Sequence, residues 1–149
     1  MVMPLILLGS IKNSFSDAQS VLQENVDNIN RVYENLTNKN PPCLWIHVRS
    51  QEQMMVIKKP EIEAWLESIK LDDKKIDLRP IELVDSGPKE SQLRFFFKQD
   101  INQAEQFLKK LKDSLPLLQL KDFSGQYENI LEPGHFELWL APETVLKTP

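Results

Sequence analysis

The clearest pattern of apolar and polar positions lies in residues 92–115. Apolar residues first alternate with other residues, at Leu93, Phe95 and Phe97. Asp100 and Gln103 then have the spacing of a capping box. The following apolar residues recur at helical intervals, at Ala104, Phe107, Leu108, Leu111 and Leu115. Because side chains repeat every two residues in a strand and every 3.6 in a helix, the pattern predicts a strand that leads into an amphipathic helix.

Helical spacing predicts two more helices. Residues 17–36 follow a second capping box, formed by Ser16 and Gln19. Their apolar stripe consists of Leu22, Val26, Ile29, Tyr33 and Leu36. The other helix begins at Pro60, which suits the first helical turn. Its stripe consists of Ile62, Trp65, Leu66 and Ile69.

Apolar runs predict the strands. These lie at residues 1–8, 43–49, 76–84, 117–123 and 136–140, besides the one at 93–98. Residues 51–57 either extend the strand before them or form one arm of a hairpin. Pro80 lacks the N–H that a central strand needs, so residues 76–84 are predicted at an edge of the sheet, in a hairpin with residues 93–98.

The order of these elements predicts the fold class. Strands and helices alternate along the chain, which favours an α/β sandwich of a mixed sheet and about three helices, with α+β as the alternative. A chain of 149 residues fits a single domain over residues 1–149. The charged residues 70–75 are predicted to form a solvated loop, and the tail from Pro142 is predicted to fray.

Composition and charge narrow the class of protein. With 41% hydrophobic and 27% charged residues the chain is typical of soluble proteins, and its longest apolar run, residues 1–8, is too short to span a bilayer. Its single cysteine, Cys43, excludes an internal disulfide framework and fits a reducing compartment. A net charge of −4 argues against nucleic acid as the main partner. We therefore expect a cytoplasmic protein without a membrane partner.

The loop after the first predicted strand is the preferred ligand position. It contains Gly9, Ser10, Lys12 and Asn13. Such a loop lies at the carboxyl end of a strand and near a helix N-terminus, where α/β proteins often bind anions. Lys12 would contact the anion, and His47 or Asp85 would act as acid or base. The loop matches neither a P-loop nor a dinucleotide fingerprint, and turn chemistry explains Asp85 better.

The histidines and the cysteine give no catalytic or metal-binding signature. Neither His47 nor His135 has a spacing to other ligands that is typical of a metal site, so no metal and no cofactor are expected. Cys43 and His47, four residues apart on a strand, are separated by about 13 Å, too far for proton transfer. Cys43 and His135 could meet across strands, but a buried cysteine that acts as a small apolar side chain explains Cys43 better.

Aromatic residues suggest an interaction surface. Phe96 and Trp139 are predicted on the less apolar faces of their strands, and Arg94 shares the face of Phe96. The arrangement of Arg94 beside Phe96 resembles an RNA-recognition strand, but the glycines of that motif are missing and the chain is acidic. A core role explains most aromatic residues. An exposed pair of Phe96 and Trp139 would instead mark a protein-binding patch.

Two groups of residues resemble a known class of domain. Pro4 to Leu8, the polar loop ending at Ser16, and the helix with Glu24, Asp27 and Ile29 resemble the opening βα unit of caspase-like and effector-associated domains of bacterial conflict and signalling systems. The second group resembles small accessory modules of bacterial signalling proteins, and consists of Arg94, Phe95, Phe96, Asp100, Ala104, Asp122 to Ser124 and Glu137 to Leu140. A caspase-like protease needs a cysteine that ends a core strand, whereas Cys43 begins one, so the resemblance implies a non-catalytic relative.

These observations predict a non-enzymatic cytoplasmic module that contacts another protein, as an adaptor or regulatory subunit. Its predicted contact surface is Phe96, Trp139 and Arg94, and the edge strand at residues 76–84 could recruit a further strand. The alternative is a small-ligand sensor or a small enzyme that uses the loop of residues 10–14.

Overall fold

A computed structural model describes residues 18–29 and 41–149 of the chain. The chain forms two compact units, residues 1–39 and residues 40–149. In the first unit, residues 18–29 form helix α1, which confirms this part of the helix predicted for residues 17–36. Its apolar side chains are exposed by 64%, 49% and 66%, at Leu22, Val26 and Ile29. The strand predicted at residues 1–8 lies outside the described residues.

The second unit is built on a mixed six-stranded sheet. Its strands are β1 (Cys43–Val48), β4 (Asp77–Leu78), β5 (Glu82–Leu83), β6 (Gln92–Phe95), β7 (Gln119–Asp122) and β8 (His135–Trp139), and two more strands, β2 (Lys70–Leu71) and β3 (Lys74–Lys75), pair with each other. The order across the sheet is β4, β1, β8, β6, β7, with β5 also paired to β1. Strand β1 is parallel to β4, β5 and β8, whereas β6 is parallel to β7 and antiparallel to β8. The mixed sheet confirms the predicted α/β class.

Three helices cover one face of this sheet: α2 (Gln51–Ile57), α3 (Pro60–Ser68) and α4 (Ile101–Leu111). Alternate positions of β1, β6 and β8 are apolar and buried, so these three strands turn a row of such side chains toward the helices. The sheet contributes Leu44, Ile46, Val48, Leu93, Phe95, Phe136 and Leu138 to the core, and the helices contribute Ile57, Ile62, Leu66, Ala104, Phe107 and Leu111. This one-sided core leaves the other face of the sheet to a different set of side chains.

Residues 51–57 are helical, so both predictions for them, a longer strand and a hairpin arm, are wrong. Ser50 caps the helix, because its hydroxyl accepts a hydrogen bond from the Gln53 N–H at 3.1 Å. Gln53 and Ile57, four residues apart on one side of α2, are both buried. The short apolar run that suggested a strand is thus the buried side of a helix.

Residues 76–84 lie at the edge of the sheet, as predicted, but their predicted hairpin with residues 93–98 is wrong. Both strands of this segment, β4 and β5, pair in parallel with β1. Parallel pairing needs a long crossover, which α2 and α3 supply between β1 and β4. Pro80 lies between β4 and β5, where the ladder is interrupted.

The charged residues 70–75, predicted as a solvated loop, form the hairpin of β2 and β3. Asp72 and Asp73 make its turn with positive φ angles of 51° and 62°, a conformation that aspartate tolerates better than most residues. Leu71 is buried in the core. The prediction missed this hairpin because its charges outnumber its single buried side chain.

The C-terminal segment is held in place rather than frayed. The Gln53 side-chain amide donates hydrogen bonds to the carbonyl oxygens of Ala141, at 2.7 Å, and Thr144, at 2.9 Å. The oxygen of the same side-chain amide accepts a hydrogen bond from the Arg49 backbone N–H at 2.6 Å. Leu146 is buried in the core. The prediction of fraying from Pro142 is therefore wrong for this part of the tail.

Helix α4 begins where predicted, but Asp100 does not cap it through its side chain. The Asp100 carboxylate instead accepts a hydrogen bond from the Gly134 N–H at 2.7 Å. Gly134 has a φ of +88°, a conformation that favours glycine. Burial raises the pKa of Asp100 above its ordinary value, although this hydrogen bond acts against it. Asp100 thus joins the start of α4 to the turn that leads into β8.

Candidate functional site

The face of the sheet opposite the helices carries polar and aromatic side chains, and we call it the open face. Within residues 41–149, helices α2, α3 and α4 all pack on the other face. The alternate strand positions that form the open face are Cys43, Trp45, His47, Gln92, Arg94, Gln119, Lys121, His135, Glu137 and Trp139. All of them except His47 are half-buried. The face therefore offers aromatic and charged groups that are packed together and still reachable.

One row of stacked side chains crosses the open face, and we call it the Trp139 row. The rings of His47 and Trp139 are nearly parallel, at an angle of 4°, with centroids 4.0 Å apart. The guanidinium of Arg94 lies 4.2 Å from the Trp139 ring centroid and 4.7 Å from that of Phe123. His47, Trp139 and Arg94 lie on the neighbouring strands β1, β8 and β6, and Phe123 directly follows β7, the next strand of the sheet. Each cation–ring contact of this kind contributes about 0.5–2 kcal/mol.

A second row, the Trp45 row, lies beside the first. The Arg79 guanidinium lies 5.6 Å from the Trp45 ring centroid. The Trp45 and His135 rings stack with centroids 6.1 Å apart, and His135 meets the edge of Phe96 at 5.2 Å. Phe96 also contacts Phe123 at 5.7 Å. The two rows therefore meet at Phe123.

Glu137 links the two rows in the middle of the face. One carboxylate oxygen lies 2.7 Å from His135 Nε2, and the other accepts a hydrogen bond from Trp139 Nε1 at 2.8 Å. Burial opposes the ionisation of Glu137, but the hydrogen bonds from His135 and Trp139 outweigh it and hold the pKa below its ordinary value. Glu137 therefore remains charged and fixes the orientation of both rings.

His47 is the most buried polar group of the open face. Its Nε2 lies 3.6 Å from a Glu82 carboxylate oxygen. Its buried Nδ1 has no hydrogen-bond partner among the residues that the structure describes. Burial lowers the pKa of His47 below 6.5, and the charges of Glu137 and Glu82 offset this only in part. At neutral pH the ring is therefore an uncharged stacking partner for Trp139.

A cleft of about 310 Å³ opens at one end of the open face, and we call it the Pro41 cleft. Its lining includes Pro41, Cys43, Trp45, Asp77, Arg79 and His135. Arg79 lies across it, with Nε 3.3 Å from an Asp77 carboxylate oxygen and Nη2 3.8 Å from the Cys43 sulfur. The Cys43 sulfur also raises the pKa of Arg79. The cleft combines an aromatic wall with a guanidinium, a carboxylate and a thiol.

The predicted interaction residues come together, with one correction. Arg94 and Trp139 are in contact in the Trp139 row. Phe96, however, is only 3% exposed, so the prediction that it offers its own surface to a partner is wrong. The rings of Phe123, Tyr127 and His135 surround it. Phe96 supports the open face from within.

The predicted ligand residues are only partly within the described structure. Gly9, Ser10, Lys12 and Asn13 lie outside the described residues. His47 and Asp85 both lie near the carboxyl ends of parallel strands, β1 and β5, but no hydrogen bond or ion pair joins them within the described part of the chain. The ligand site at residues 10–14 stays a prediction.

Cys43 is half-exposed and lines the Pro41 cleft, so the interpretation of it as a core residue is wrong. It lies on the same face of β1 as Trp45 because strand side chains alternate. Cys43 and His135 are direct neighbours across the parallel strands β1 and β8. The hydrogen bonds of the Cys43 sulfur run to Pro41, Asp77 and Arg79.

Sequence reasoning missed three residues of the site. Glu137 could have been found, because it alternates with Phe136 and Leu138 and therefore shares the face of Trp139. Arg79 and Phe123 directly follow the short strands β4 and β7. Their roles depend on which strands are neighbours, and this is set by long-range pairing.

Comparison of the chain with protein-family models, curated proteins and solved structures found no match in any of the three. The resemblance to caspase-like accessory domains therefore stays a prediction. Among the residues that the structure describes, no group of three or more His, Cys, Asp or Glu side chains is placed to hold a metal ion. In the same residues, no helix is both long and apolar enough to span a membrane. The fold and the open face thus define a mixed α/β protein that has aromatic side chains on one surface of its sheet.

Proposed function

We propose that this protein is a non-enzymatic interaction module, an adaptor or regulatory subunit, that contacts another protein through its open face. The Trp139 row carries the proposal: an indole stacked between an imidazole and a guanidinium on a sheet face that no helix of residues 41–149 covers. Tryptophan and arginine are enriched among the residues that dominate protein interfaces. The composition of the row therefore favours protein contact.

The order within the open face also supports binding. Side chains lose conformational freedom when a partner immobilises them, at about 0.5–1.5 kcal/mol each. Trp139 is already held by Glu137, and Arg94 is already held between two rings. Much of this entropy is therefore lost on folding and not on association.

The face is a better contact surface than the edge strand at residues 76–84. Adding a strand needs a continuous row of free backbone groups. Strands β4 and β5 have only two residues each, and Pro80 lies between them. This interrupted edge is a poor template, so we assign the contact to side chains of the open face.

The test is capture of a partner by the tagged full chain from its native host, followed by size-exclusion chromatography and mass spectrometry. Trp139→Ala and Arg94→Ala should weaken binding about tenfold or more, as expected for central interface residues. Met55→Ala and Lys109→Glu are the matched controls, because both side chains are exposed on helices of the opposite face. Unfolding curves of every variant show whether it is folded. Folded Trp139→Ala and Arg94→Ala variants that capture the same partner as strongly as the wild type would exclude this surface.

The Pro41 cleft favours a second candidate function, binding of a small ligand. Its volume of about 310 Å³ is at the lower end of the range of ligand pockets, about 300–1,000 Å³. Cys43 is the only cysteine of the chain, so its rate of reaction with a thiol reagent reports on the cleft. In a metabolite screen, a ligand of the cleft should slow this labelling and raise the melting temperature. Loss of both effects in Arg79→Ala would support the site, and unchanged protection would exclude it.

A further inference from the structure

A second concave surface lies away from the open face, and we call it the Leu117 groove. It has a volume of about 570 Å³ and is formed by the loop before β6, the turn after α4 and the segment after β8. The buried side chains of Leu115, Leu118 and Ala141 are part of its lining. Leu117 and Val145, also in the lining, are exposed by 83% and 47%. Leu117 and Val145 therefore present apolar surface to water there.

The charges of the groove are mainly positive. Lys89 and Lys147 both line it, and neither forms an ion pair with a residue that the structure describes. The one acidic residue of the lining, Glu90, accepts a hydrogen bond from the Gln119 side-chain amide at 3.0 Å. The chain as a whole has a net charge of −4. The lining of the groove thus carries two lysines and one glutamate, on a protein whose net charge is negative.

The walls of the groove are fixed by hydrogen bonds. The Ser91 hydroxyl accepts from the Ala141 N–H at 2.9 Å, and the Ser114 hydroxyl accepts from the Lys147 N–H at 2.9 Å. Together with the contacts of Gln53 to the same segment, these bonds join the walls of the groove to the sheet and to α2. A preformed groove binds with a smaller loss of conformational entropy.

We propose that the Leu117 groove binds an acidic, leucine-rich peptide segment of a partner protein. Apolar side chains of the peptide would cover Leu117 and Val145, and its carboxylates would pair with Lys89 and Lys147. Partly desolvated charge pairs of this kind supply specificity and rate of association. A membrane surface fits less well, because a flat bilayer cannot follow the walls of a concave groove. This surface is distinct from the open face and would allow the module to bridge two partners.

The test uses two synthetic peptides of the same length, one of leucine, serine and glutamate, the other with lysine in place of each glutamate. The full chain, labelled with nitrogen-15, is titrated with each peptide and followed by NMR. The acidic peptide should shift the amide signals of Leu117, Val145 and their neighbours to saturation. Its affinity should fall as the salt concentration rises from about 50 mM to about 300 mM. The basic peptide should leave these signals in place.

Variants separate the groove from other surfaces. Leu117→Ser and Lys147→Glu change exposed side chains and should each weaken the acidic peptide about tenfold. Ile130→Ser and Lys58→Glu are the matched controls, because these side chains are also exposed and lie outside the groove. Trp139→Ala should bind the acidic peptide as strongly as the wild type, because Trp139 lies outside the groove. The groove can therefore be tested whether or not the open face has a partner. Equal binding of the two peptides, shifts outside the groove, or binding of anionic lipid vesicles without peptide binding would each overturn the proposal.

Discussion

Trp139 donates a hydrogen bond from its indole Nε1 to the carboxylate of Glu137, two residues before it on the same face of β8, at 2.8 Å. This bond sets the angle at which the indole stands on the sheet and hence its parallel stacking on His47. The second oxygen of the same carboxylate binds His135, which belongs to the other row. One half-buried charge therefore positions aromatic rings in both rows of the open face.

Glu137→Gln should lower the free energy of unfolding by about 1–3 kcal/mol, because a glutamine has one acceptor oxygen and leaves one of the two donors unpaired. The near-UV circular dichroism of the tryptophans should change with it. Urea unfolding at neutral pH measures the first effect. Glu132→Gln, an exposed residue of the preceding loop, is the control and should leave both quantities unchanged. Equal effects of the two substitutions would contradict the linking role of Glu137.

His47 should make stability depend on pH. Its pKa in the folded protein lies below the ordinary 6.5, mainly through burial, so the unfolded chain takes up this proton more readily. The stability that the uncharged His47 contributes is present above the pKa of this residue in the unfolded chain. It is lost as the pH falls through the pKa of His47 in the folded protein. In His47→Phe, which keeps a ring against Trp139, this part of the pH dependence should vanish. Urea unfolding at a series of pH values measures it, and parallel curves for wild type and variant would contradict the prediction.

Much of the fold could be predicted from local pattern. The helix after Pro60, the helix after Asp100 and strand β8 were predicted because each buries one face at the correct period. Helix α2 was not predicted, because its seven residues span two turns and give too few repeats to distinguish it from a strand. The pairing of β4 and β5 with β1 was not predicted either, because tertiary packing decides which strands are neighbours.

The open face was predictable only in part. Trp139 and Arg94 could be placed on one side of their strands by alternation alone. The burial of Phe96 could not, because Phe123 and Tyr127, which surround it, come from another part of the chain. Cys43 was wrongly assigned to the core for a different reason, because the composition of its strand does not show which side the helices cover.

Substitution of Asp100 by Asn and by Ala should change the stability of the protein in different ways. Its pKa is raised by burial, so its favourable contribution is present below the unfolded pKa and is lost as the pH rises through the folded pKa. At neutral pH Asp100→Asn, which keeps an acceptor for Gly134 and removes the buried charge, should be at least as stable as the wild type. Asp100→Ala leaves that N–H unpaired and should cost about 1–3 kcal/mol. Thermal unfolding at pH 7 compares the three proteins, and an equal loss in both variants would show that the charge itself is required.

Gln53→Met should release the C-terminal segment while keeping helix α2. Methionine has a similar length and a high helix propensity, but it cannot replace the hydrogen bonds to Ala141, Thr144 and Arg49. Buried groups left without partners cost about 1–3 kcal/mol, and the segment after β8 should become the first site of proteolysis. Limited proteolysis with mass spectrometry identifies the cleavage site, and Gln51→Met, at an exposed position of the same helix, is the control. Because this segment forms a wall of the Leu117 groove, Gln53→Met should also weaken binding of the acidic peptide. If cleavage occurs elsewhere and peptide binding is unchanged, Gln53 does not hold the segment.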